Sequence, residues 1–495
     1  MSSGWETGGA GGAGGAWEVI VGLEVHVELN TATKMFCGCA TDFGAPPNTR
    51  VCPVCSGQPG SLPVANGTAV ESATRLGLAL NCEVVERCRF HRKNYFYPDL
   101  AKDYQISQYD IPLCSDGRLD IEVDGGTVRV GIERVHMEED TGKMEHHGGG
   151  GRLHGADRSL VDYNRSGIPL LECVSRPDIR SAEQAQAYLR ELVGVVRALG
   201  ISDARMEEGS IRCDANVSVR RAGEPFGTRC EIKNLNSIRS LGRAIGFEAE
   251  RQVHILESAG EIVQETRHWD EDRGVTETLR RKEGITDYRY FPDPDLVEIV
   301  SPPDRVEQLR ATIPELPAAR RARMRDAGVE ASRAATLVDV GLDEWFDAAV
   351  TAGADRDAVV NWLTGPILGE LNERGQTAAD TGVTGEHLGE LLALVEDGTL
   401  SQNLAKDVLT GVFDANGAKR PRDVAAERGL EQISDEAELQ AIVDRVVADN
   451  PQVVEKIRGG ADRAIGALVG QVMRETQGKA NPQLVNELLR RAIEE

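Results

Sequence analysis

Apolar and polar residues alternate in several stretches between Trp17 and Ile299, with glycine and aspartate separating the stretches. The segments VIVGLEVHVEL, RLDIEVDGGTVRVGIERV and SIRCDANVSVRR follow this pattern, which is typical of strands with one buried face. A helix interrupts them, because Ser181 and Gln184 have capping-box spacing and Gly200 ends the apolar periodicity. Its apolar stripe consists of Ala185, Leu189, Leu192, Val196 and Leu199. This half of the chain is therefore predicted to be α+β.

Helical periodicity replaces the strand pattern after Ser301-Pro302-Pro303. A second break, around 416–429, separates a middle helical region from a C-terminal module in which Asp435 is predicted to cap the first helix. Asn481, followed by Pro482, is predicted to cap the last helix. The predicted organisation is a flexible Gly/Ala tail over 1–16, an α/β domain over 17–305, a helical domain over 306–425 and a small helical domain over 426–495.

Polar side chains share one face of the first predicted strand. Glu24, His26 and Glu28 alternate with apolar residues from Val21 to Leu29, so two carboxylates and an imidazole point the same way. This pattern fits either an ordinary solvated strand face or a metal-binding face.

Two further segments carry acids. The cluster from His136 to Asp140, which contains Glu138 and Glu139, follows a strand and by itself is typical of surface acids. Asp214 is more unusual, because strand interiors are depleted in aspartate and a polar cavity is a better place for it than open solvent. Taken together, Glu24, His26, Glu138, Glu139 and Asp214 offer oxygen ligands with one imidazole, which suits magnesium or manganese better than zinc.

Phosphoryl transfer needs a metal ion and nearby cations that offset phosphate charge. Candidates for such a pocket are Lys93 and Asn94 in FHRKNYFYPD, Arg212 beside Asp214, and Lys233 and Asn234 in EIKNLNS. Each of them fits a structural ion-pair role equally well. The chain has no GxxxxGK[ST] segment, so any use of ATP must differ from that of P-loop enzymes.

Four of the ten cysteines are closely spaced, as a CxC pair and a CxxC pair in the segment 37–55. Two such pairs converge readily on one tetrahedral zinc ion, and four thiolates would make that site structural. The predicted ligands are Cys37, Cys39, Cys52 and Cys55, and the alternative is that these are reduced thiols that bind no metal. A separate stretch, 144–157, contains His146, His147 and His154 among glycines and is predicted to be a surface loop.

The overall charge argues against a nucleic-acid partner, since 56 Lys and Arg against 80 Asp and Glu give a net charge of −24. The C-terminal region is locally different, with seven bases against three acids from Lys456 to Arg491. Neither a secretory signal nor an apolar run of 18 residues occurs, and the cysteine usage indicates a reducing compartment, so we expect a cytoplasmic protein.

Several longer segments, in one order, carry a family resemblance. GLEVHVEL, HRKNYFYPD, HMEEDTGK, LVDYNRSGIPLLE, MEEGSIRCDANVS, EIKNLNS and DYRYFPDPDL resemble the B subunit of the tRNA-dependent amidotransferase, and LVGQVMRETQGKANPQLVNELL resembles its tail module. The resemblance covers nearly the whole chain from about residue 17. It implies a cradle-shaped catalytic domain followed by a helical domain and a helical tail that contacts tRNA, with Arg463, Arg474 and Lys479 as the tail's tRNA contacts.

The resemblance also implies a reaction. ATP would phosphorylate the side-chain carboxylate of Glu-tRNA(Gln) or Asp-tRNA(Asn), and ammonia from a glutaminase A subunit would form the amide, with a small C subunit completing a heterotrimer. Magnesium would be held by Glu24, His26, Glu139 and Asp214, with Glu138 beside them. The cations and amides named above would line the pocket for ATP or the aminoacyl end.

Two other functions remain open from the residues alone. One is a zinc-containing RNA-binding scaffold whose acidic face is only solvated surface. The other is an ATP-dependent ligase acting on a free amino acid, which would need no tRNA. Acids on three segments favour the enzyme over the scaffold, because closely placed carboxylates need a cation to coexist.

Overall fold

The computed structural model describes residues 16–148, 156–281, 288–430, 436–458, 464–476 and 479–494. The chain divides into two compact units, with the division between Leu316 and Pro317. The first unit contains the sheets and the second is helical, so the predicted α+β fold followed by helical regions is confirmed.

A nine-stranded sheet forms the centre of the first unit, in the order β14-β13-β12-β11-β1-β10-β7-β6-β2. All neighbours are antiparallel except β12 and β13. The strands are β1 (Trp17–Glu28), β2 (Glu83–Val84), β6 (Cys114–Val123), β7 (Gly126–Glu139), β10 (Pro169–Ser175), β11 (Ile211–Arg221), β12 (Cys230–Leu235), β13 (Glu265–Asp270) and β14 (Val275–Arg281).

One face of this sheet is covered by helices, which explains the alternation seen in the sequence. Val21, Leu23, Val25 and Val27 are at most 1% exposed, whereas the intervening polar residues of β1 are half-buried on the other face. The helices of this unit are α1 (Gly67–Ala79), α2 (Ala182–Ala198), α3 (Ile238–Glu257) and α4 (Pro303–Arg310). Ser181 caps α2 as predicted, and the whole stripe from Ala185 to Leu199 is buried. The Gln184 side chain, however, accepts from Arg180 N instead of completing the capping box.

Shorter sheets complete the first unit. A three-stranded sheet has the order β15-β4-β5, and two-stranded sheets pair β16 with β3 and β8 with β9. Their strands are β3 (Arg87–Cys88), β4 (His91–Asn94), β5 (Tyr104–Ser107), β8 (Lys143–His147), β9 (Arg158–Asp162), β15 (Phe291–Pro292) and β16 (Ile299–Val300). The prediction of a loop at 144–157 is therefore wrong for its first residues, because His146 and His147 pair with β9. His154 lies outside the described residues.

The second unit contains two hydrophobic cores, one from Met324 to Ala425 and one from Leu439 to Ile493. A π-helix (Leu363–Ile367) and a 3₁₀ helix (Ala378–Asp380) lie within the first of these regions. Asn481 caps the last helix by accepting from Gln483 N, as predicted, whereas Asp435 lies outside the described residues. The helices are α5 (Pro317–Asp326), α6 (Ala331–Asp339), α7 (Asp343–Thr351), α8 (Arg356–Trp362), α9 (Leu368–Arg374), α10 (Gly385–Glu396), α11 (Gln402–Asp414), α12 (Pro421–Arg428), α13 (Glu436–Asp449), α14 (Pro451–Arg458), α15 (Ile465–Glu475) and α16 (Pro482–Glu494).

Candidate active site

The register of three neighbouring strands brings the polar residues of β1 to acids from the rest of the chain. Glu24 lies opposite Asp214 on β11, and His26 lies opposite Glu172 on β10. Directly opposite residues in an antiparallel pair point to the same face of the sheet. The face of the sheet opposite the buried apolar residues of β1 therefore carries a cluster of carboxylates around one imidazole.

His26 is the centre of this cluster. Its Nε2 lies 3.4 Å from a Glu172 oxygen, 3.5 Å from a Glu138 oxygen and 4.0 Å from a Glu24 oxygen. Glu138 approaches His26 from β7. Ser107 on β5 also contacts Glu138, with its Oγ 3.4 Å from a Glu138 oxygen. The interpretation of the His136–Asp140 segment as surface acids is wrong, because Glu138, Glu139 and Asp140 are at most 4% exposed.

The cluster's charges perturb one another strongly. Burial alone would lower the pKa of His26, but the hydrogen bond with Glu172 and the charges of Glu138, Glu172 and Glu24 outweigh it and raise that pKa to about 9. Burial, and then the negative charge of Glu172, raises the pKa of Glu138 to about 7. The imidazole is thus protonated at neutral pH and acts as the cation that lets the acids lie close together.

The donor set fits a divalent cation. Single ligand atoms of Glu24, His26 and Asp214 lie within 4.8 Å of one another, and the same holds for His26, Glu138 and Glu172. Four carboxylates with one imidazole are the hard, oxygen-rich set that suits magnesium or manganese. A bound cation would replace the proton on His26 as the neutralising charge, since only the neutral imidazole is a ligand.

Lys233, Arg212 and Lys93 lie near the cluster. The ammonium of Lys233 pairs with Asp214 and lies 3.1 Å from a Glu231 oxygen, while Arg212 lies 2.7 Å from an Asp140 oxygen. Lys93 differs from both. Within the described ranges no carboxylate oxygen lies within 4 Å of its Nζ, which lies over the rings of Tyr95 and Tyr288 at 5.9 Å and 5.2 Å from their centroids.

The charge state of Lys93 follows from its surroundings. Burial opposes its positive charge, but the negative charge of Glu138 outweighs burial and raises its pKa above the ordinary value. A charged ammonium beside the acids, with no ion pair to any residue that the structure describes, is suited to binding an anion such as a phosphate.

Glu139 is not part of this cluster, although the sequence analysis placed it among the magnesium ligands. Successive side chains of a strand point to opposite faces, so Glu138 and Glu139 cannot both reach the same ion. Glu139 accepts instead from Lys102 Nζ and from Ile106 N, the latter at 2.9 Å.

The two predicted amides also have structural partners. Asn94 Nδ2 donates to the carbonyl oxygens of Arg289 at 2.7 Å and Arg92 at 3.2 Å. Asn234 has a left-handed backbone (φ +67°), and its amide donates to Trp269 O at 3.1 Å. Neither contact brings the side chain to the carboxylates, in contrast to the positions of Lys93, Arg212 and Lys233.

Sequence reasoning missed Glu172 and His136. Glu172 is 7% exposed and lies between His26 and His136, whose Nε2 is 3.7 Å from a Glu172 oxygen. Burial lowers the pKa of His136 to about 4, so this second imidazole is neutral. The available signal was a glutamate inside the apolar run IPLLECV, since a charge is rarely buried without a partner.

The four predicted cysteines converge. Their sulfur atoms all lie within 4.8 Å of one another, and Cys52 Sγ is 3.8 Å from Cys55 Sγ. Four sulfurs bound to one zinc at about 2.3 Å would be about 3.8 Å apart, so the arrangement is compatible with a structural metal ion. Hydrogen bonding from Cys37 contributes most to lowering the pKa of Cys55 to about 4, helped by the charge of Lys34.

Lys34 supports the same interpretation. Its side chain is almost fully buried, and its Nζ contacts two carbonyl oxygens, Arg50 O at 2.7 Å and Tyr163 O at 3.1 Å, besides Cys55 Sγ at 3.8 Å. A buried ammonium needs a compensating anion, and metal-bound thiolates supply one.

Two of the three predicted tRNA contacts lie among the described residues of the C-terminal region. Arg474 is exposed on α15, and Lys479 is half-buried just before α16. Arg463 lies outside the described residues.

Comparisons with known proteins agree with this fold. A family described as the GatB/GatE catalytic domain matches residues 19–307, and one described as the GatB domain matches residues 344–493. The chain is 53% identical to a protein of Salinispora tropica over 479 residues, which cover 96% of both chains. It is 50% identical to one of Carboxydothermus hydrogenoformans, covering 96% of this chain and 98% of that one. Both relatives are named as the B subunit of aspartyl/glutamyl-tRNA(Asn/Gln) amidotransferase.

These matches show the class of protein, which is a subunit of a ligase-type amidotransferase. The chain belongs to the GatB family, the B subunits of that enzyme, and the resemblance found in the sequence is confirmed. None of the helices within the described ranges is long and apolar enough to cross a membrane.

Proposed function

We propose that this chain catalyses ATP-dependent amidation of a glutamate or aspartate esterified to tRNA, with Glu-tRNA(Gln), Asp-tRNA(Asn) or both as substrates. The observation that carries the proposal is the carboxylate cluster around His26, which lies near Lys93, Arg212 and Lys233 on the polar face of the sheet. The names of the relatives supply the substrate class. The cluster supports the phosphoryl-transfer step, because its carboxylates could hold a metal ion that binds the phosphates of ATP.

Glu24, His26 and Asp214 would hold magnesium, with Glu138 and Glu172 completing the site. When bound, magnesium would neutralise the phosphate oxygens of ATP and favour departure of ADP. Lys93 would hold the transferring phosphoryl group, because its ammonium has no ion pair among the described residues. Arg212 and Lys233 keep positive charge at the rim of the acids, where the polyphosphate would otherwise be repelled.

The reaction follows from the poor leaving group of a free carboxylate. A side-chain carboxylate oxygen of the aminoacyl-tRNA attacks the γ-phosphorus of ATP, and the bond from that phosphorus to ADP breaks. The acyl phosphate is then attacked by ammonia at its carbonyl carbon, phosphate leaves, and one proton is lost to give the amide. The pocket contributes chiefly alignment and charge neutralisation.

Partners are part of the proposal. Ammonia would come from a glutaminase A subunit, and a small C subunit would complete a cytoplasmic heterotrimer. Arg474 and Lys479 would contact tRNA phosphates from the C-terminal helices. The four cysteines would bind structural zinc and take no part in the chemical steps.

The test uses the assembled enzyme with ammonia in place of glutamine. Asp214→Asn and Glu24→Gln should each lower the rate of amide formation by about 100-fold or more. Each change removes a carboxylate that would hold the metal ion, and the metal ion would neutralise the phosphate charge. Subunit assembly, measured by size-exclusion chromatography, should be unchanged. Glu298→Gln is the matched control, since Glu298 pairs with Arg87 in an exposed contact. Full activity in both cluster variants would refute the assignment.

A further inference from the structure

The loop that carries the CxxC pair packs directly against Lys102. Gly57, with φ +66°, allows this approach, because a Cβ at this position would lie 2.6 Å from Lys102 Cγ and 3.2 Å from its Cα. No side chain fits at that distance without displacing the lysine. The cavity at this contact is lined by Cys37, Cys55, Lys102 and Glu139, among others.

Lys102 in turn fixes the end of β7 through Glu139. The two side chains form an ion pair and are only 6% and 4% exposed. Glu139 also accepts from Ile106 N at 2.9 Å, and Gln105 Nε2 donates to Glu139 O at 2.7 Å. The Glu139 carboxylate is buried and accepts from two donors, and the backbone carbonyl of the same residue accepts from a third. Glu139 therefore has little freedom to move.

A second contact joins the cysteine site to the same strand end. Gly167 (φ +88°) lies where Lys34, Cys55 and Glu139 meet, since a Cβ there would be 3.3 Å from Lys34 Cδ, 3.6 Å from Cys55 Cβ and 3.8 Å from a Glu139 oxygen. Gly167 N donates to Asp140 O at 2.8 Å. The cysteine site is thus linked to the end of β7 by two routes, one through Lys102 and one through Gly167.

Glu138 is the residue preceding Glu139, and its side chain lies on the opposite face, 3.5 Å from His26. Any displacement of the backbone at Glu139 therefore moves Glu138 as well, because the two share a peptide unit. Residues behind a ligand that hold its orientation typically change metal affinity by about 10-fold to 100-fold when they are altered.

We propose that Lys102 and Glu139 form a positioning pair for Glu138, and that the four-cysteine site sets the position of this pair through the loop at Gly57. The inference rests on the proposed metal site at His26. Loss of the zinc would free the loop, loosen the contact with Lys102 and weaken divalent-cation binding on the other face of the sheet. Glu139 acts here as a buried anchor and not as a ligand.

The test measures two properties of the full chain, Mn²⁺ affinity by electron paramagnetic resonance and hydrogen–deuterium exchange of the amides at 135–140. The variants are Lys102→Met and Glu139→Gln, with Lys419→Met as the control because Lys419 pairs with Glu427 in an exposed contact. A further sample is the unmodified chain, loaded with one equivalent of zinc and then stripped with a zinc-selective chelator that is removed before Mn²⁺ is added.

We expect Lys102→Met and zinc removal each to weaken Mn²⁺ binding by about tenfold or more and to speed exchange at 135–140. Glu139→Gln should speed exchange at 135–140 and weaken Mn²⁺ binding together, because its neutral amide removes the charge that compensates the buried Lys102 ammonium. The control should change neither property.

Three results would overturn the proposal. The first is exchange at 135–140 that is unchanged both in Lys102→Met and after zinc removal. The second is loss of Mn²⁺ binding in Glu139→Gln without a change in exchange, which would make Glu139 a ligand. The third is a chain that takes up no zinc. Failure of the wild-type chain to bind Mn²⁺ would refute the proposed function instead, while the exchange measurements would still decide whether zinc orders the strand end.

Discussion

Replacing Glu172 by glutamine should return His26 towards an ordinary histidine pKa. The cluster raises the pKa of His26 from 6.5 to about 9, which corresponds to about 3 kcal/mol at about 1.4 kcal/mol per pH unit. Glu172 is the nearest of the three carboxylates, at 3.4 Å, and its hydrogen bond is the largest contribution that raises the pKa. We therefore expect Glu172→Gln to lower the pKa of His26, and to lower it by more than the loss of Glu24 would.

The assay is an NMR titration of metal-free protein in which the nine histidines carry ¹³C in the imidazole ring, with His26→Gln used to assign the signal. His136 serves as an internal reference, because its pKa of about 4 predicts that it stays neutral from pH 5 to 10. Glu298→Gln is the control for a carboxylate removed elsewhere. A wild-type His26 that titrates near 6.5, or a pKa that Glu172→Gln leaves at 9, would refute the reasoning.

Three further results are expected. Mn²⁺ affinity should rise by up to about tenfold per pH unit from pH 6.5 to 9, because the metal must displace the proton on His26; calorimetry showing no pH dependence would contradict this. Asp343→Asn should lower the free energy of unfolding in urea by about 3 kcal/mol, since Asp343 is fully buried against Arg320, whereas Asp347→Asn at a half-exposed ion pair should cost less than about 1 kcal/mol. Deleting 436–494 should weaken tRNA binding in filter assays and leave Mn²⁺ affinity unchanged; equal tRNA affinity would remove the tail's assigned role.

The proton on His26 also affects folding stability. Because its folded pKa of about 9 exceeds the unfolded value of 6.5, the stabilising contribution is fully present below pH 6.5 and is lost as the pH rises through 9. Metal-free protein should therefore lose stability over this range. A bound cation should reverse that trend, since it binds the neutral imidazole.

Alternation and spacing were sufficient to predict β1, β6, β7 and β11, the caps of α2 and α16, and the convergence of the four cysteines. The buried faces of β1 and β11 were predicted correctly, because alternate side chains of a strand point to opposite faces and the apolar set identifies the buried one. The acids of β1 and β11 could thus be assigned to one face before their pairing was known. Strand order and register were not predictable, because they depend on long-range pairing.

The positions of the site residues depend on the same long-range pairing. Glu138 and Glu139 are adjacent in sequence, and only the position of β7 in the sheet decides which of them meets His26. Glu172 was missed because its strand, IPLLECV, reads as wholly apolar apart from this residue. Asn94 and Asn234 were plausible pocket residues by type, but their amides satisfy backbone carbonyls that the sequence could not place.

The most direct test of the proposed chemistry follows oxygen atoms. Glu-tRNA(Gln) or Asp-tRNA(Asn) carrying ¹⁸O in both side-chain carboxylate oxygens is incubated with the assembled enzyme, ATP, magnesium and ammonia, and the released phosphate is analysed by mass spectrometry. Attack of the carboxylate on the γ-phosphorus predicts one ¹⁸O in each phosphate and one in each amide product. Amide formation with phosphate that contains no ¹⁸O would contradict the acyl-phosphate route and, with it, the role assigned to the cluster around His26.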